Sequence, residues 1–330
     1  LLWRHNKEIF PLMKMRHLFS QVENFEFYDF YDRDGKVNQN VYAFSNRNGD
    51  ESVLVLYNNS YYETEGYIKY SCTRTVNGNS SKMKKPKKLN DLLGFKPMLN
   101  HFYSYTDHRT QLQYLLSGKE ITEDGFKAHL FGYQYRVCLN FKEIYDVDGR
   151  YEKLYLLLNG RGVTSIDEAL KELELLPLHT AIENIFSGIN LEKFREHLLY
   201  KEAKSKKDKS NFYQEILPAY KNLSHQIKKF TEIKFSSKIS EERFKSDLIA
   251  VREFYQMLIK YSDRKNVTKW MLHTNSLLPV NSKPEVDQEL ATLLIVLILK
   301  YSFAFPIKKD ELGKNFDELL FYKPISRILE

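Results

Sequence analysis

VNQNVYAFSNRNGDESVLVLYNNS, residues 37–60, is the stretch on which the reading of this chain turns. Val41, Ala43 and Ser45 alternate with Tyr42 and Phe44, so the two sets point to opposite faces of one strand. A polar group, Asn46-Arg47-Asn48-Gly49-Asp50, then leads into Val53-Leu54-Val55-Leu56-Tyr57. Two strand-period apolar runs joined by an Asn/Gly/Asp cluster predict a β-hairpin. Period two continues downstream over Tyr67–Thr73, Phe126–Leu130 and Tyr133–Phe141. In the last of these Tyr133, Tyr135, Val137, Leu139 and Phe141 fall on one face, which specifies a single register. Between these strands Leu89–Glu120 reads as an insertion with one helix around Gln111–Leu116.

The segments on either side have helical spacing. Ahead of the hairpin, Ile9, Leu12, Met13, Arg16 and Phe19 recur every three or four residues, predicting a helix from Trp3 to about Phe19 with Pro11 inside it. No capping residue precedes it, as expected of an element cut through at its start. After Gly149 the period is helical throughout. Ser165-Ile166-Asp167-Glu168 is a capping box. Apolar stripes run through Phe212, Ile216, Tyr220, Leu223, Ile227 and Phe230, and through Phe244, Leu248, Val251, Tyr255 and Leu258. Pro284 opens a further helix that carries the run to Phe305. The expected organisation is therefore an α+β chain of several domains. Residues 1–36 are a helix and connector, 37–146 an antiparallel β-sandwich with its insertion at about 89–120, and 147–330 an all-α bundle.

Composition narrows the function classes. The chain has 330 residues, of which 42% are hydrophobic and 28% charged, the balance of a globular protein. Its longest apolar run, Ala291–Leu299, ends at Lys300 and is far short of the roughly 20 residues that span a bilayer. It reads as a buried core helix, and no membrane partner is expected. Net charge is +7, with Lys concentrated in Lys82–Lys88 and Lys204–Lys209. Neither run is interleaved with aromatic residues, so both read as solvated loops and not as a nucleic-acid platform. Cys72 and Cys138 are the only cysteines. Two thiols without a disulfide pattern suit a reducing, cytoplasmic setting.

The residue types that carry chemistry are dispersed. Asp32, Asp34, Asp107, Glu120, Asp146 and Asp148 sit in turns or at strand ends, where carboxylates bond their own backbone. None is assigned as catalytic. His101 and His108 flank Asp107 at a spacing that a helix would place on one face, but a third zinc ligand is missing, so no metal is assigned. Gly160-Arg161-Gly162 lacks the third glycine and the preceding strand of a dinucleotide fingerprint, and no cofactor is implied. Tyr57, Asn58, Asn59, Tyr61, Tyr62 and Tyr67 crowd into one hairpin. Flat rings beside amides suit a pyranose surface, so these six are the candidate glycan contacts. Packing is the competing reading, since strands use Tyr heavily.

Three stretches, Glu8–Phe30, Val37–Ser60 and Gly132–Phe141, resemble the region that ends the catalytic barrel and opens the following β-sandwich in the alpha-amylase superfamily of glycoside hydrolases. The resemblance extends from about Glu8 to Asn140 and weakly to Phe186. It implies a non-catalytic carboxy-terminal region of an enzyme acting on alpha-glucans, with the catalytic carboxylates upstream. The implied partners are the catalytic barrel of the same parent chain and alpha-glucan. The helical part resembles the extension of some very large bacterial members. The alternative is a protein-interaction or homo-oligomerisation module with no sugar role.

Overall fold

The hairpin forms over β3 (Val41–Asn48) and β4 (Glu51–Asn58), paired from Val41 opposite Asn58 to Asn48 opposite Glu51 in a computed structural model. Its loop is tighter than the sequence suggests: Asn46 to Asn48 continue the strand, and only Gly49 and Asp50 turn. Gly49 has φ +60°, the conformation that two-residue hairpin turns of the primed types ask of glycine. Val41, Ala43 and Ser45 are buried, while Tyr42 is exposed and Phe44 half-buried, as the alternation predicts. The structure describes residues 2–20, 22–76, 79–186, 188–199, 206–231, 237–262, 286–302 and 309–329, and the chain is an α+β protein. Two compact units divide it, Leu1–Leu173 and Glu174–Glu330.

In the first unit, β1 (Glu26–Tyr28), β8 (His101–Asp107), β9 (Gln113–Ser117) and β11 (Tyr135–Tyr145) join the hairpin in one antiparallel sheet of order β1-β3-β4-β11-β8-β9. A smaller antiparallel sheet has the order β10-β5-β2, from β10 (Phe126–Leu130), β5 (Thr64–Ile68) and β2 (Tyr31–Asp32). β6 (Arg74–Val76) and β7 (Asn79–Lys84) form a separate pair. The two larger sheets share one core: Val41, Ala43, Leu54, Leu56, Tyr105 and Cys138 from the first meet Ile68, Phe126, Ala128 and Leu130 from the second. β2 and β5 approach so closely that a Cβ on Gly66 would lie 2.0 Å from the Tyr31 carbonyl oxygen, which restricts that position to glycine.

Several expectations need correction. Gln111–Leu116 is not a helix. Gln113–Ser117 is the edge strand β9, and the segment 89–120 supplies β8 and β9 to the main sheet beside two short helices, α4 (Leu89–Leu93) and α5 (Gly118–Glu123). The strand expected at Tyr67–Thr73 begins and ends earlier, as β5, and Tyr70 and Ser71 make isolated bridges only. Tyr133 lies before β11 with φ +55°, and Phe141 does not share the face of Val137 and Leu139. From Leu139 opposite Thr106 to Lys142 opposite Ser104, β11 advances three residues while β8 advances two. That extra residue is a β-bulge, with Asn140 at φ +56°, and it turns Phe141 into the shared core.

The outward face of the main sheet carries two helical pieces. The amino-terminal segment is broken where the sequence reads as one helix: α1 (Leu2–Arg4), a π-helical turn (His5–Ile9), α2 (Phe10–Lys14) and α3 (Arg16–Phe19). Pro11 has no N–H to donate, and just before it the Phe10 N–H reaches back five residues to the His5 carbonyl. Leu12, Met15, Leu18 and Phe19 of this segment pack on Val53, Val55, Val137 and Leu139. Further along, α6 (Arg150–Leu158) and α7 (Ile166–Glu174) pack Leu154, Leu158, Ile166 and Leu170 against Phe102 and Leu115. Ser165 caps α7, its hydroxyl accepting the Glu168 N–H at 3.2 Å. These two helices thus share a core with strands of the first unit, whereas the sequence reading began the helical domain at 147.

The second unit is helical among its described residues. It comprises α8 (Leu176–Ile185), α9 (Gly188–Leu199), α10 (Lys206–Phe230), α11 (Ser237–Ser262), α12 (Val286–Ser302), α13 (Lys309–Glu318) and α14 (Tyr322–Leu329). Its core takes Ile216, Tyr220, Leu223 and Ile227 from α10 and Phe244, Leu248 and Tyr255 from α11, the two stripes read from the sequence. The run Ala291–Leu299 lies in α12 and buries Leu294, Ile295, Leu297 and Ile298. Among the described residues no helix is long and apolar enough to cross a membrane. Pro284, Phe305 and Lys204 lie outside the described residues, as do the side chains of Phe212, Leu258 and the rest of the second lysine run.

Candidate functional site

Of the carboxylates that a search for catalytic pairs would choose, Asp34 is exposed and the other five are engaged in local structure. Asp32 Oδ1 accepts the Asp34 and Lys36 N–H groups at 2.9 and 2.8 Å. Asp146 takes the Gly149 N–H at 3.1 Å and the Glu152 N–H at 2.9 Å, and Asp148 takes the Arg150 N–H at 3.3 Å. Glu120 accepts from Lys127 Nζ at 2.8 Å and from the Tyr155 hydroxyl. Asp107 is buried inside the sheet, its Oδ1 accepting the Arg109 N–H at 2.9 Å and its Oδ2 lying 3.6 Å from Arg136 Nε. Glu8 and Asp124 are both held below the ordinary carboxylate range, which suits a stable anion and not a proton donor.

The two histidines of interest are on a strand and its turn, not on a helix. His101 Nε2 lies 3.2 Å from Glu143, and His108 Nε2 lies 2.8 Å from the Glu8 carbonyl oxygen. A carbonyl only accepts, so His108 carries its proton on Nε2. No group of three or more metal-ligating side chains occurs among the described residues.

The tyrosine hairpin does not make one platform. Tyr57 stacks on Tyr42, its cross-strand neighbour, with ring centroids 6.5 Å apart on the outward face of the main sheet. Tyr67 stacks on Tyr31 at 5.6 Å in the smaller sheet, on the side away from the buried Gly66 and Ile68. Asn58 is fully buried, its amide donating to the Tyr62 and Phe131 carbonyls at 2.8 and 3.0 Å, so it ties loops together. Asn59 accepts the Tyr57 hydroxyl at 3.3 Å. Of the six residues Asn59, Tyr61 and Tyr62 are exposed, the two tyrosines each 78% and set edge to face.

The concave surfaces lie elsewhere, on both flanks of the amino-terminal helical segment where it crosses the main sheet. Glu8 anchors the crossing. Its carboxylate accepts the Tyr135 hydroxyl and Arg4 Nε, the latter at 3.0 Å, and its carbonyl accepts from His108. The Tyr135 bond, then Arg4, holds the Glu8 carboxyl below its ordinary range. Burial, then Glu8 itself, pushes the Tyr135 hydroxyl up to about 12. One flank is an apolar cleft of about 640 Å³ in which Ile9, Leu12, Met13 and Phe19 face Phe44, Val55 and Val137. Beside it Phe10, Met13, Phe27 and Tyr42 are exposed. The other flank is a more polar cleft of about 600 Å³, lined by Trp3, Asn6, Lys7, Met15, the Arg109–Gln111 turn, Leu139 and Asn140 of the bulge.

Sequence reasoning assigned no role to Glu8, Tyr135, Arg109 or Asn140. An Asn in the middle of an alternating strand was the one local signal, because Asn tolerates positive φ better than most residues. No family model, curated protein or solved structure matches the chain.

Proposed function

We propose that this chain is the non-catalytic carboxy-terminal region of an alpha-amylase-superfamily glycosidase acting on alpha-glucans: an antiparallel sandwich, followed by a helical bundle, that supports the catalytic barrel of the same parent chain. The sequence resemblance over Glu8–Asn140 motivates the reading. Two sheets with one shared core agree with a sandwich. The observation that carries the reading is the uncovered apolar surface around the first cleft. Ile9, Phe10 and Met13 of the helical segment and Phe27 and Tyr42 of the sheet are each more than two-fifths exposed, side by side with an apolar cleft. Exposed apolar side chains beside an apolar cleft suit a place where another folded body packs. In this reading that body is the barrel, and the segment crossing the sheet is the connection to it.

The test is assembly in trans. The chain is titrated with an alpha-amylase-superfamily barrel expressed without its own sandwich, and complex formation is followed by light scattering and by maltooligosaccharide hydrolysis. The reading expects no turnover from the chain alone and a complex that Met13→Asp weakens. Turnover by the chain alone, or no complex with the barrel, overturns it.

A second reading, a self-association module, is favoured by one helix of the second unit. In α11 Phe244, Leu248 and Tyr255 are buried, yet Ile249, Phe254 and Met257 on other faces are each about two-fifths exposed. Light scattering on the chain alone decides between the two: a dimer that Phe254→Ser dissociates favours self-association, and a monomer argues against it.

A further inference from the structure

The two larger sheets have four edge strands, and three of them meet a further stretch of chain. β1 is bridged on its far side by Ser71, with the Cys72 N–H donating to the Phe27 carbonyl at 2.7 Å. β9 exchanges both backbone bonds between Gln113 and Val163, at 2.7 and 2.8 Å. β2 turns back on itself, Tyr31 bridging Val37 and the Asp32 N–H donating to the Lys36 carbonyl at 2.8 Å. β10 differs. Among the described residues its backbone bonds only to β5, apart from the Asn58 amide 3.5 Å from the Leu130 carbonyl. An unpaired edge presents a row of N–H and C=O groups that can take another strand. We propose that a second copy of this chain supplies that strand, β10 pairing antiparallel with its own counterpart about a two-fold axis at Ala128.

The strand is self-complementary in that register. β10 buries Phe126, Ala128 and Leu130 and exposes Lys127 and His129. Directly opposite residues of an antiparallel pair share a face, so each copy keeps its own buried face inward only when inward residues meet inward ones. Centred on Ala128, all five residues find partners: Phe126 lies opposite Leu130, and Lys127 opposite His129. Moving the axis one residue either way leaves three pairs and sets Lys127 against Lys127 or His129 against His129. Charge fits as well, because Glu63, 3.3 Å from His129, comes with it toward the second copy's Lys127. A lysine on an edge strand commonly guards it. Here its charge is met within its own copy by Glu120 and Asp124, each at 2.8 Å. Just past the strand, Phe131 is 59% exposed and falls beside the second copy's Gly125, which has no side chain to obstruct it. The contact is separate from α11 and from the apolar cleft, and it rests on neither reading of function.

The experiment is cysteine cross-linking of the full 330-residue chain. Lys127→Cys and His129→Cys are oxidised separately and as an equal mixture, and the products are separated by mass. In the proposed register the two positions face each other within disulfide reach, whereas each lies diagonally from its own counterpart at about 7–8 Å. A covalent dimer is therefore expected from the mixture and not from either variant alone or from the unsubstituted chain. Sedimentation over a concentration series adds the second readout. One short strand makes a small interface, so the dimer is expected to dissociate on dilution. His129→Lys sets like charges opposite each other twice while keeping a cation beside Glu63, and is expected to weaken the dimer about tenfold. Phe254→Ser is expected to leave it unchanged. No cross-link in the mixture, or equal cross-linking of one variant with itself, overturns the proposal. A dimer that Phe254→Ser dissociates and His129→Lys leaves intact overturns it too, in favour of association through α11. Far-ultraviolet circular dichroism of each variant excludes misfolding as the cause of a loss.

Discussion

Replacing Asp107 tests how the sheet holds the turn at the polar cleft. Its side chain is 3% exposed, and that of Arg136, 3.6 Å away, is 16% exposed. The pair lies in the shared core beside Tyr105 and Tyr114, with the Arg136 guanidinium 5.6 Å from the Tyr114 ring centroid. Asp107→Asn keeps the shape and an oxygen for the Arg109 N–H but removes the charge facing Arg136. Breaking a buried pair in this way costs about 3–5 kcal/mol, because a guanidinium is left without its counter-charge. The separation is an ion-pair distance too long for a hydrogen bond, and Arg136 keeps some solvent, so the lower end, about 3 kcal/mol, is expected. Removing both charges in Asp107→Asn/Arg136→Met should restore much of the loss, for a coupling of about 2 kcal/mol in a double-mutant cycle. Native-state hydrogen exchange of β8, β9 and β11 peptides reads this locally, without interference from the helical unit. About 3 kcal/mol appears as roughly a hundredfold loss of protection. A single variant within about 1 kcal/mol of the unsubstituted chain, or a cycle with no coupling, refutes the reasoning.

Asn140→Val should lower stability by about 1–2 kcal/mol, because a β-branched residue resists positive φ, while Asn140→Gly stays near neutral; thermal melts of both compare them. Leu18→Ala, at a side chain 3% exposed beneath the helical segment, should cost about 2–5 kcal/mol, read as earlier exchange of the 10–20 peptide in the same hydrogen-exchange experiment. Burial, then Arg252, lowers the His197 imidazole to about 4, so its neutral form is favoured in the folded helical unit. Protonation of the unfolded chain begins near the ordinary value of about 6.5, and stability should therefore fall as pH drops from there to about 4. Urea midpoints of His197→Gln should fall less over that window. Cys72 is pushed up to about 11 by burial, then by Asp29, so at pH 8 only about one thiol in a thousand is thiolate. Iodoacetamide labelling of native protein should rise steeply above pH 10 and be slow at pH 8.

The legible elements were those with one wet face. β3 alternates because its outward residues, Tyr42 and Phe44, keep solvent contact while Val41 and Ala43 do not. β9 was misread for the opposite reason. Leu115 packs outward against α6 and α7, while Tyr114 and Leu116 pack inward on the shared core. With both faces covered, Leu112, Tyr114, Leu115 and Leu116 become an apolar run, broken only by Gln113, whose spacing fits a helix equally well. The described members of the α10 and α11 stripes follow the expected period, because a helix packed on one side keeps it. In the tyrosine hairpin the residues are neighbours in sequence, but strand alternation and the passage from β4 to β5 send Tyr57 and Tyr67 to different sheets. Proximity along the chain therefore overstated proximity in space.

The amino-terminal segment shows what periodicity leaves out. An unbroken helix would keep Ile9, Leu12, Met13 and Phe19 on one buried stripe. The π turn before Pro11 and the break at Met15, with ψ near +37°, instead direct Met15 and Leu18 at the sheet and leave Ile9 and Met13 only partly covered at the cleft. Those two breaks also bring Glu8 over β11, where partners 127 and 100 residues away, Tyr135 and His108, meet its carboxylate and its carbonyl. Neither contact has a local signature, because each joins residues far apart in the chain that only the sheet pairing brings together. One residue thus separates an apolar cleft from a polar one, and the helical segment is attached to the sheet by a charged bond at Glu8 and by packing at Leu18. A body that covers Ile9 and Met13 would press on the same segment that carries Trp3.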